Sequence, residues 1–321
     1  MAPAPIRTPI VALAGGVGGA RFAQGLAGIV DPGNLTVIVN TGDDFDLYGL
    51  RISPDLDTVM YTLGGIADPT NGWGIAGDTR ATLDGIAAYG EEPWFQLGDR
   101  DFATHILRTQ WLREGESLST VTSRLATGLG VGPLLIPMSD DPVATRIRSG
   151  DRLLDFQQYF VANRQQDVVD GVVLDGIGRA VAAPGVIPAI QAAEVIVFCP
   201  SNPIVSIGPI LAVAGIREAI SGSSAARVAI SPIVGGKAVK GPADRMLTSL
   251  GHDASAVGVA RMYQDLLDAM VIDEVDRHLA PEIESLGLRV MVAQTIMGGR
   301  EDRERLAGEI LDTVLPLRSP V

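Results

Sequence analysis

Residues 10–21 read Ile10-Val-Ala-Leu-Ala-Gly-Gly-Val-Gly-Gly-Ala-Arg21: five apolar residues, then four glycines in five positions, then the start of an amphipathic segment. Ile10–Ala14 suits a buried strand and Ala20–Leu26 the helix after it. Glycines at such a junction allow positive φ and let backbone come close to a bulky anion. The first N–H groups of the helix then face that anion, and Gly16, Gly18 and Gly19 are the candidate contacts. The spacing is neither G-x-G-x-x-G nor a Walker loop with its Lys-Ser/Thr. A tight β–α turn without a ligand has the same pattern.

Outward from this junction, short apolar runs alternate with helical periods. Strands are expected at Ile10–Ala14, Leu35–Asn40, Leu134–Met138, Val195–Cys199, Val228–Ile233 and Leu288–Ala293. Helices are expected at Arg21–Ile29, Asp57–Leu63, Thr79–Tyr89, Ala103–Arg113, Leu118–Gly128 and Arg217–Ile220, with a further acidic helix over Tyr263–Asp276. Strands spaced by helices predict an α/β fold with a doubly wound, mainly parallel sheet. Ala144–Arg148 and Arg152–Phe156 flank Ser149-Gly150-Asp151 as a β-hairpin. Residues from about 70 to 132 carry helices and no strand signal, and read as a helical lobe over the sheet within one domain spanning 1–321. In such sheets ligands bind at the carboxyl ends of the strands.

Those ends hold the unusual sequences. Asn40-Thr-Gly-Asp43-Asp44-Phe-Asp46 and Ser53-Pro-Asp55-Leu-Asp57-Thr58 place five carboxylates within 15 positions. Hard oxygen donors on loops suit Mg²⁺, which takes one or two carboxylates together with substrate phosphates. Capping and Asx turns account for any single one of these aspartates equally well. Gly98-Asp99-Arg100-Asp101 precedes a helix, where Arg100 suits a phosphate or a planar polar ring and the aspartates suit caps. His105, one turn further on, reads as a packing residue or a site residue. Met138-Ser139-Asp140-Asp141-Pro142 ends the third strand with a break and polar side chains. Pro200-Ser201-Asn202-Pro203 is stiffened by proline, which directs Ser201 and Asn202 toward a ligand or toward their own loop. Gly235-Gly236-Lys237 sets Lys237, an anion partner or an ordinary surface lysine, after another strand.

Composition narrows the function. With 25 basic against 38 acidic residues the formal charge is −13, which opposes a nucleic-acid surface. One cysteine, Cys199, excludes an internal disulfide and a cysteine-based zinc site, and reads as a small buried residue. No uncharged apolar run is long enough for a membrane span. The Met1–Thr8 leader is short, proline-rich and without an apolar core, as expected of a cytoplasmic protein. The residues alone point to a Mg²⁺-dependent enzyme acting on a nucleotide or diphosphate by positioning and charge neutralisation.

The segments AGGVGGAR (14–21), VNTGDD (39–44), ISPDLDTVMYTLGG (52–65), LGDRDFATHILRTQ (97–110), PMSDDP (137–142), PSNPIVSIGPI (200–210) and SPIVGGKAVKGPAD (231–244) together resemble the CofD/FbiA family. Its members are 2-phospho-L-lactate or phosphoenolpyruvate transferases of coenzyme F-420 biosynthesis. The resemblance implies a Rossmann-like core, a homodimer, Mg²⁺ and two substrates, the deazaflavin Fo and a guanylated three-carbon acid. The ribityl hydroxyl of Fo attacks the phosphorus bearing the acid, and GMP leaves. Asp57 matches the family's Fo-contacting aspartate and Arg100 its arginine. Asp43 and Asp57 match the metal pair and the catalytic positions, with Asp44 and Asp55 as rivals. Ser201, Asn202 and the Gly16–Gly19 loop match the holders of the guanosine diphosphate. A regulatory superfamily that binds a nucleotide sugar shares the glycine opening and part of the 200–210 loop. Asp55-Leu-Asp57 and Gly98-Asp99-Arg100-Asp101 favour the transferase. A nicotinamide enzyme is opposed by Asn40, which stands where a ribose-binding acid is expected.

Overall fold

Strand β1 (Ile10–Ala14) is buried along its whole length because parallel strands flank it on both sides. The computed structural model describes residues 4–317; residues 1–3 of the Met1–Thr8 leader lie outside the described residues. The central sheet has seven strands, with β2 at Leu35–Val39, β3 at Leu134–Pro137, β4 at Val195–Phe198, β5 at Ala226–Ile230, β6 at Ala269–Asp273 and β7 at Arg289–Ala293. Their order is β7-β6-β5-β4-β1-β2-β3, and every pairing is parallel. The doubly wound α/β class read from the sequence is the observed one.

Both faces are covered. Ile10, Ala12 and Ala14 pack beneath α1 (Gly16–Ile29), α2 (Pro54–Leu63) and the C-terminal helix Arg300–Val314, whereas Val11 and Leu13 face the helices Val186–Ala192, Ile216–Ser221 and Ala256–Tyr263. This two-sided burial explains why the strands read as continuous apolar runs and not as alternating ones. Between residues 70 and 132 lie α3 (Ala81–Ala88), α4 (Asp101–Arg113) and α5 (Leu118–Gly128). Helix α5 sends Val121 and Leu125 into the main core. Leu83 of α3 and Phe102 of α4 instead close a small cluster with Ile52 and Leu97.

The expected acidic helix over Tyr263–Asp276 is not formed. That stretch contains β6, followed by a 3-10 turn over Glu274–Leu279. Ala-Met-Val-Ile is an apolar run between β5 and β7, and burying it on both faces outweighs the helical period of the acids around it. Strand β5 likewise ends at Ile230, where Ser231 turns its hydroxyl onto the Ile233 backbone and Pro232 breaks the ladder. The expected hairpin is present as Ala144–Ser149 with Arg152–Asp155, and Gly171–Asp175 joins it as a third antiparallel strand. No helix among the described residues is long and apolar enough to cross a membrane.

The chain turns toward opposite edges of the sheet after β1 and after β4, which leaves a crevice at their carboxyl ends. A cavity of about 540 Å³ opens there.

Candidate active site

The β1–α1 turn forms one wall of the cavity. Gly16 has φ +61°, a conformation that favours glycine. A Cβ on Gly18 would collide with the carbonyl oxygen of Pro200, so the 200–206 loop lies directly on the turn. Ser201 fastens that contact: its hydroxyl donates to the Gly15 carbonyl at 2.8 Å and accepts from the Gly15 N–H at 3.1 Å. Asn202 caps its own loop, accepting from the N–H groups of Ile204 and Val205. Gly16, Gly18, Ser201 and Asn202 all line the cavity, whereas Gly19 packs behind it on Ser201 and Ala14. The N–H of Gly16 donates to Asp55 at 2.7 Å, so a carboxylate of the chain already takes the first donor of α1.

Asn40, fully buried at the end of β2, organises the acidic loops. Its amide nitrogen lies 3.0 Å from Asp43, 2.9 Å from Asp55 and 3.2 Å from the Val205 carbonyl. Two hydrogens thus serve three acceptors. A carboxylate at this position would confront two others. Asp43 and Asp55 both line the cavity. Burial raises the pKa of Asp43 well above the carboxylate range, and the neighbouring charges of Asp55 and Asp44 add to it. Burial also lifts Asp55 to about 6 against the hydrogen bonds from Asn40 and Gly16. Asp44 does not line the cavity: it accepts from Ser53 at 2.7 Å, with Arg51 at 3.8 Å. Burial holds it at about 7, Arg51 and Ser53 opposing.

Asp57 lines the cavity in a different electrostatic setting. The guanidinium of Arg108, 1 % exposed, grips both of its oxygens, with Nη1 to Oδ2 at 3.1 Å and Nη2 to Oδ1 closer still. His105 stands beside the pair, Nδ1 3.3 Å from Arg108 Nη1 and 3.6 Å from Asp57 Oδ2. Its Nε2 is 3.3 Å from Asp101, off the direction of a good hydrogen bond, and Tyr61 donates to the same Asp101 oxygen at 2.6 Å. Burial alone would favour a protonated Asp101; His105, Tyr61 and Arg108 together carry its pKa below the usual value.

Two expected contacts fall elsewhere. Arg100 is exposed, outside the lining, with its guanidinium on the Ala76 carbonyl at 3.1 Å. The arginine that reaches the carboxylates is Arg108, and Asp101, His105 and Arg108 at i, i+4 and i+7 share one face of α4, a signal present in the sequence. Lys237 is likewise outside, 3.7 Å from Asp244, and Lys240 lines the cavity in its place. Apolar surface comes from Trp73, Phe95, Phe156 and Phe160, the last two stacked with centroids 5.6 Å apart. Trp94 is one layer back, on Phe45 and Phe95.

The arrangement offers two buried oxygen donors short of positive charge, a third carboxylate already neutralised, a glycine turn and an aromatic share of the lining. Among the described residues no three His, Cys, Asp or Glu side chains converge to hold a metal. A pair of carboxylates completed by substrate and water is the pattern Mg²⁺ accepts.

Comparison with known proteins agrees over almost the whole chain. The family model described as 2-phospho-L-lactate transferase CofD matches residues 10–295. A phosphoenolpyruvate transferase of Kitasatospora aureofaciens is 47% identical over 305 residues, 93% of this chain and 95% of that protein. A 2-phospho-L-lactate transferase of Methanosarcina mazei is 40% identical over 298 residues, 93% of this chain and 98% of that one. Among solved structures, a UPF0052 family member from Bacillus halodurans superimposes with a TM-score of 0.66 at 16% identity, over 95% of this chain and 99% of that one, a likeness of fold alone.

Proposed function

The chain belongs to the 2-phospho-L-lactate transferase CofD family and is a transferase of that type; from that premise we propose that it moves a phosphate bearing a three-carbon acid from a guanosine diphosphate ester to the ribityl hydroxyl of Fo, releasing GMP. The observation that carries this reading is the convergence of Asp43, Asp55 and Asp57 on one cavity that Trp73, Phe95, Phe156 and Phe160 also line. A deazaflavin is a flat tricycle with a polyol tail, and Trp73, Phe95, Phe156 and Phe160 supply a slot of matching character. The guanosine diphosphate lies along the β1–α1 turn, Ser201 and Asn202. Lys240 and Arg21, both in the lining, meet its negative charge.

The raised pKa values of Asp43 and Asp55 argue for a resident cation, because two buried carboxylates with no basic side chain within salt-bridge distance among the described residues favour binding one. When bound, Mg²⁺ neutralises charge on the reacting phosphates. The chain contributes the rest. Asp43 and Asp55 hold the ion, the glycine turn fixes the diphosphate, and the aromatic lining keeps bulk water from the phosphorus. Asp57 accepts the hydrogen of the attacking hydroxyl and aligns that oxygen opposite the departing GMP, as an in-line displacement requires. Identity is higher with phosphoenolpyruvate transferases than with 2-phospho-L-lactate transferases, which supports an enolpyruvyl donor.

The test is incubation of the protein with Fo, Mg²⁺ and guanylated enolpyruvate, lactate or glycerate in turn, the product being weighed by mass spectrometry. Formation of the enolpyruvyl phosphodiester with release of GMP is expected. Failure to bind Fo, together with tight binding of a nucleotide sugar, refutes the reading.

A further inference from the structure

The three aspartates of the cavity differ in how their charge is met. Among the described residues the side-chain and neighbouring-backbone donors within hydrogen-bonding distance of Asp43 and Asp55 are all neutral: Asn40, Gln157 and the Gly16 backbone. Asp57 has a full cation, delivered by a helix from a separate part of the chain. Arg108 itself does not line the cavity. It approaches Asp57 from behind and takes both carboxylate oxygens in the planar, two-point geometry that only a guanidinium provides.

His105 tightens this arrangement. Its Nδ1 lies 3.3 Å from Arg108 Nη1 and 3.6 Å from Asp57 Oδ2, and its Nε2 lies 3.3 Å from Asp101. Asp101 in turn is tied to Tyr61 of α2, the helix that carries Asp57. Helices α2 and α4 are thus joined at two points, Asp57 to Arg108 and Tyr61 to Asp101, with His105 lying between them.

We propose that Arg108, backed by His105, is the positioning residue for Asp57: by answering its charge and fixing both oxygens, it removes Asp57 from metal ligation and presents it to the attacking hydroxyl, leaving Asp43 and Asp55 as the metal pair. This rests on the transfer reading above. It departs from the pairing of Asp43 with Asp57 that the sequence resemblance implies.

The experiment is a double-mutant cycle on the full-length protein with Arg108→Gln, Arg108→Lys, Asp57→Asn and the double variant Asp57→Asn/Arg108→Gln. Turnover is measured per folded molecule against Fo, donor and Mg²⁺. Arg108→Gln is expected to lower kcat by on the order of 100-fold, the lower range for a positioned proton acceptor. The donor KM and half-saturating Mg²⁺ should stay within about threefold. Arg108→Lys should recover part of kcat. The double variant should be no slower than Asp57→Asn, because Arg108 acts only through Asp57. If Arg108→Gln does not fold, the comparison of Asp57→Asn with the double variant, which removes both charges together, decides alone. Additive losses, or a tenfold rise in half-saturating Mg²⁺ for Asp57→Asn, overturn the proposal while leaving the transfer reading intact. A wild-type protein with no turnover of Fo and any guanylated acid refutes both at once.

Discussion

Replacing Asp55 by Asn should make the metal-free protein more stable while destroying its activity. In the folded chain burial holds Asp55 at about 6, against an ordinary value of 3.8. A rise of roughly two pH units corresponds to about 3 kcal/mol. The folded state keeps a proton that the unfolded chain has released. The stability from this group is therefore complete below pH 3.8 and is lost as pH climbs through 6. At pH 8 the wild type lacks all of it. Asn carries no charge to lose, but it gives up one of two accepted hydrogen bonds, from the Gly16 N–H or from Asn40, at a cost of about 1 kcal/mol. The net gain is about 1–2 kcal/mol at pH 8, increased by the relief of Asp43, which Asp55 repels. Urea unfolding in EDTA measures it. The advantage of the variant should shrink by about 1 kcal/mol between pH 8 and pH 5, and Mg²⁺ should stabilise the wild type more than the variant. A variant less stable than wild type at pH 8, or a gap independent of pH, refutes the argument that Asp55 is a strained, cation-seeking carboxylate.

Other outcomes follow from the same geometry. Gly18→Ala drives a methyl group into the Pro200 carbonyl and should destabilise by roughly 1–3 kcal/mol in chemical unfolding, weakening GDP in calorimetry through displacement of the 200–206 loop. Asp46→Asn should leave kcat within about twofold in steady-state kinetics, since its side chain is 73% exposed and pairs with the partly exposed Arg51 on the surface. Cys199 is buried, and burial pushes its thiol far above the usual range. It should ignore an aromatic disulfide reagent in native protein and react at once in urea.

The sequence made the sheet legible where a strand is wholly apolar and bounded by glycine or proline, as at Ile10–Ala14 and Leu134–Pro137. It hid β6, because Asp265, Asp268 and Asp273 around Ala-Met-Val-Ile imitate the polar face of a helix. Hairpins of three-residue strands, such as Phe45–Leu47 with Leu50–Ile52, are too short to show a period. At the site the aspartates stood out by density, since five in 15 positions cannot all be caps. Their division of labour was not visible: it depends on Arg108 crossing from α4 and on Asn40 standing between Asp43 and Asp55, contacts separated by 51 and 15 residues. Charge and a glycine neighbour singled out Lys237 and Arg100, yet loop geometry turned both away from the cavity, leaving Lys240 to line it and Arg108 to meet Asp57 from behind the lining.

The pairing of β1 between β2 and β4 also sets a timetable for synthesis. Ile10 has Leu35 on one side and Val195 on the other. A ribosome adding about 5–20 residues per second delivers the second partner roughly 10–40 s after the first strand emerges. During that interval the apolar edge of β1 has no neighbour, and Gly15 lacks the Ser201 hydroxyl that later fastens it. Nascent chains that stall before residue 195 therefore present an unpaired apolar edge and a half-built crevice, the kind of edge that invites pairing with another chain.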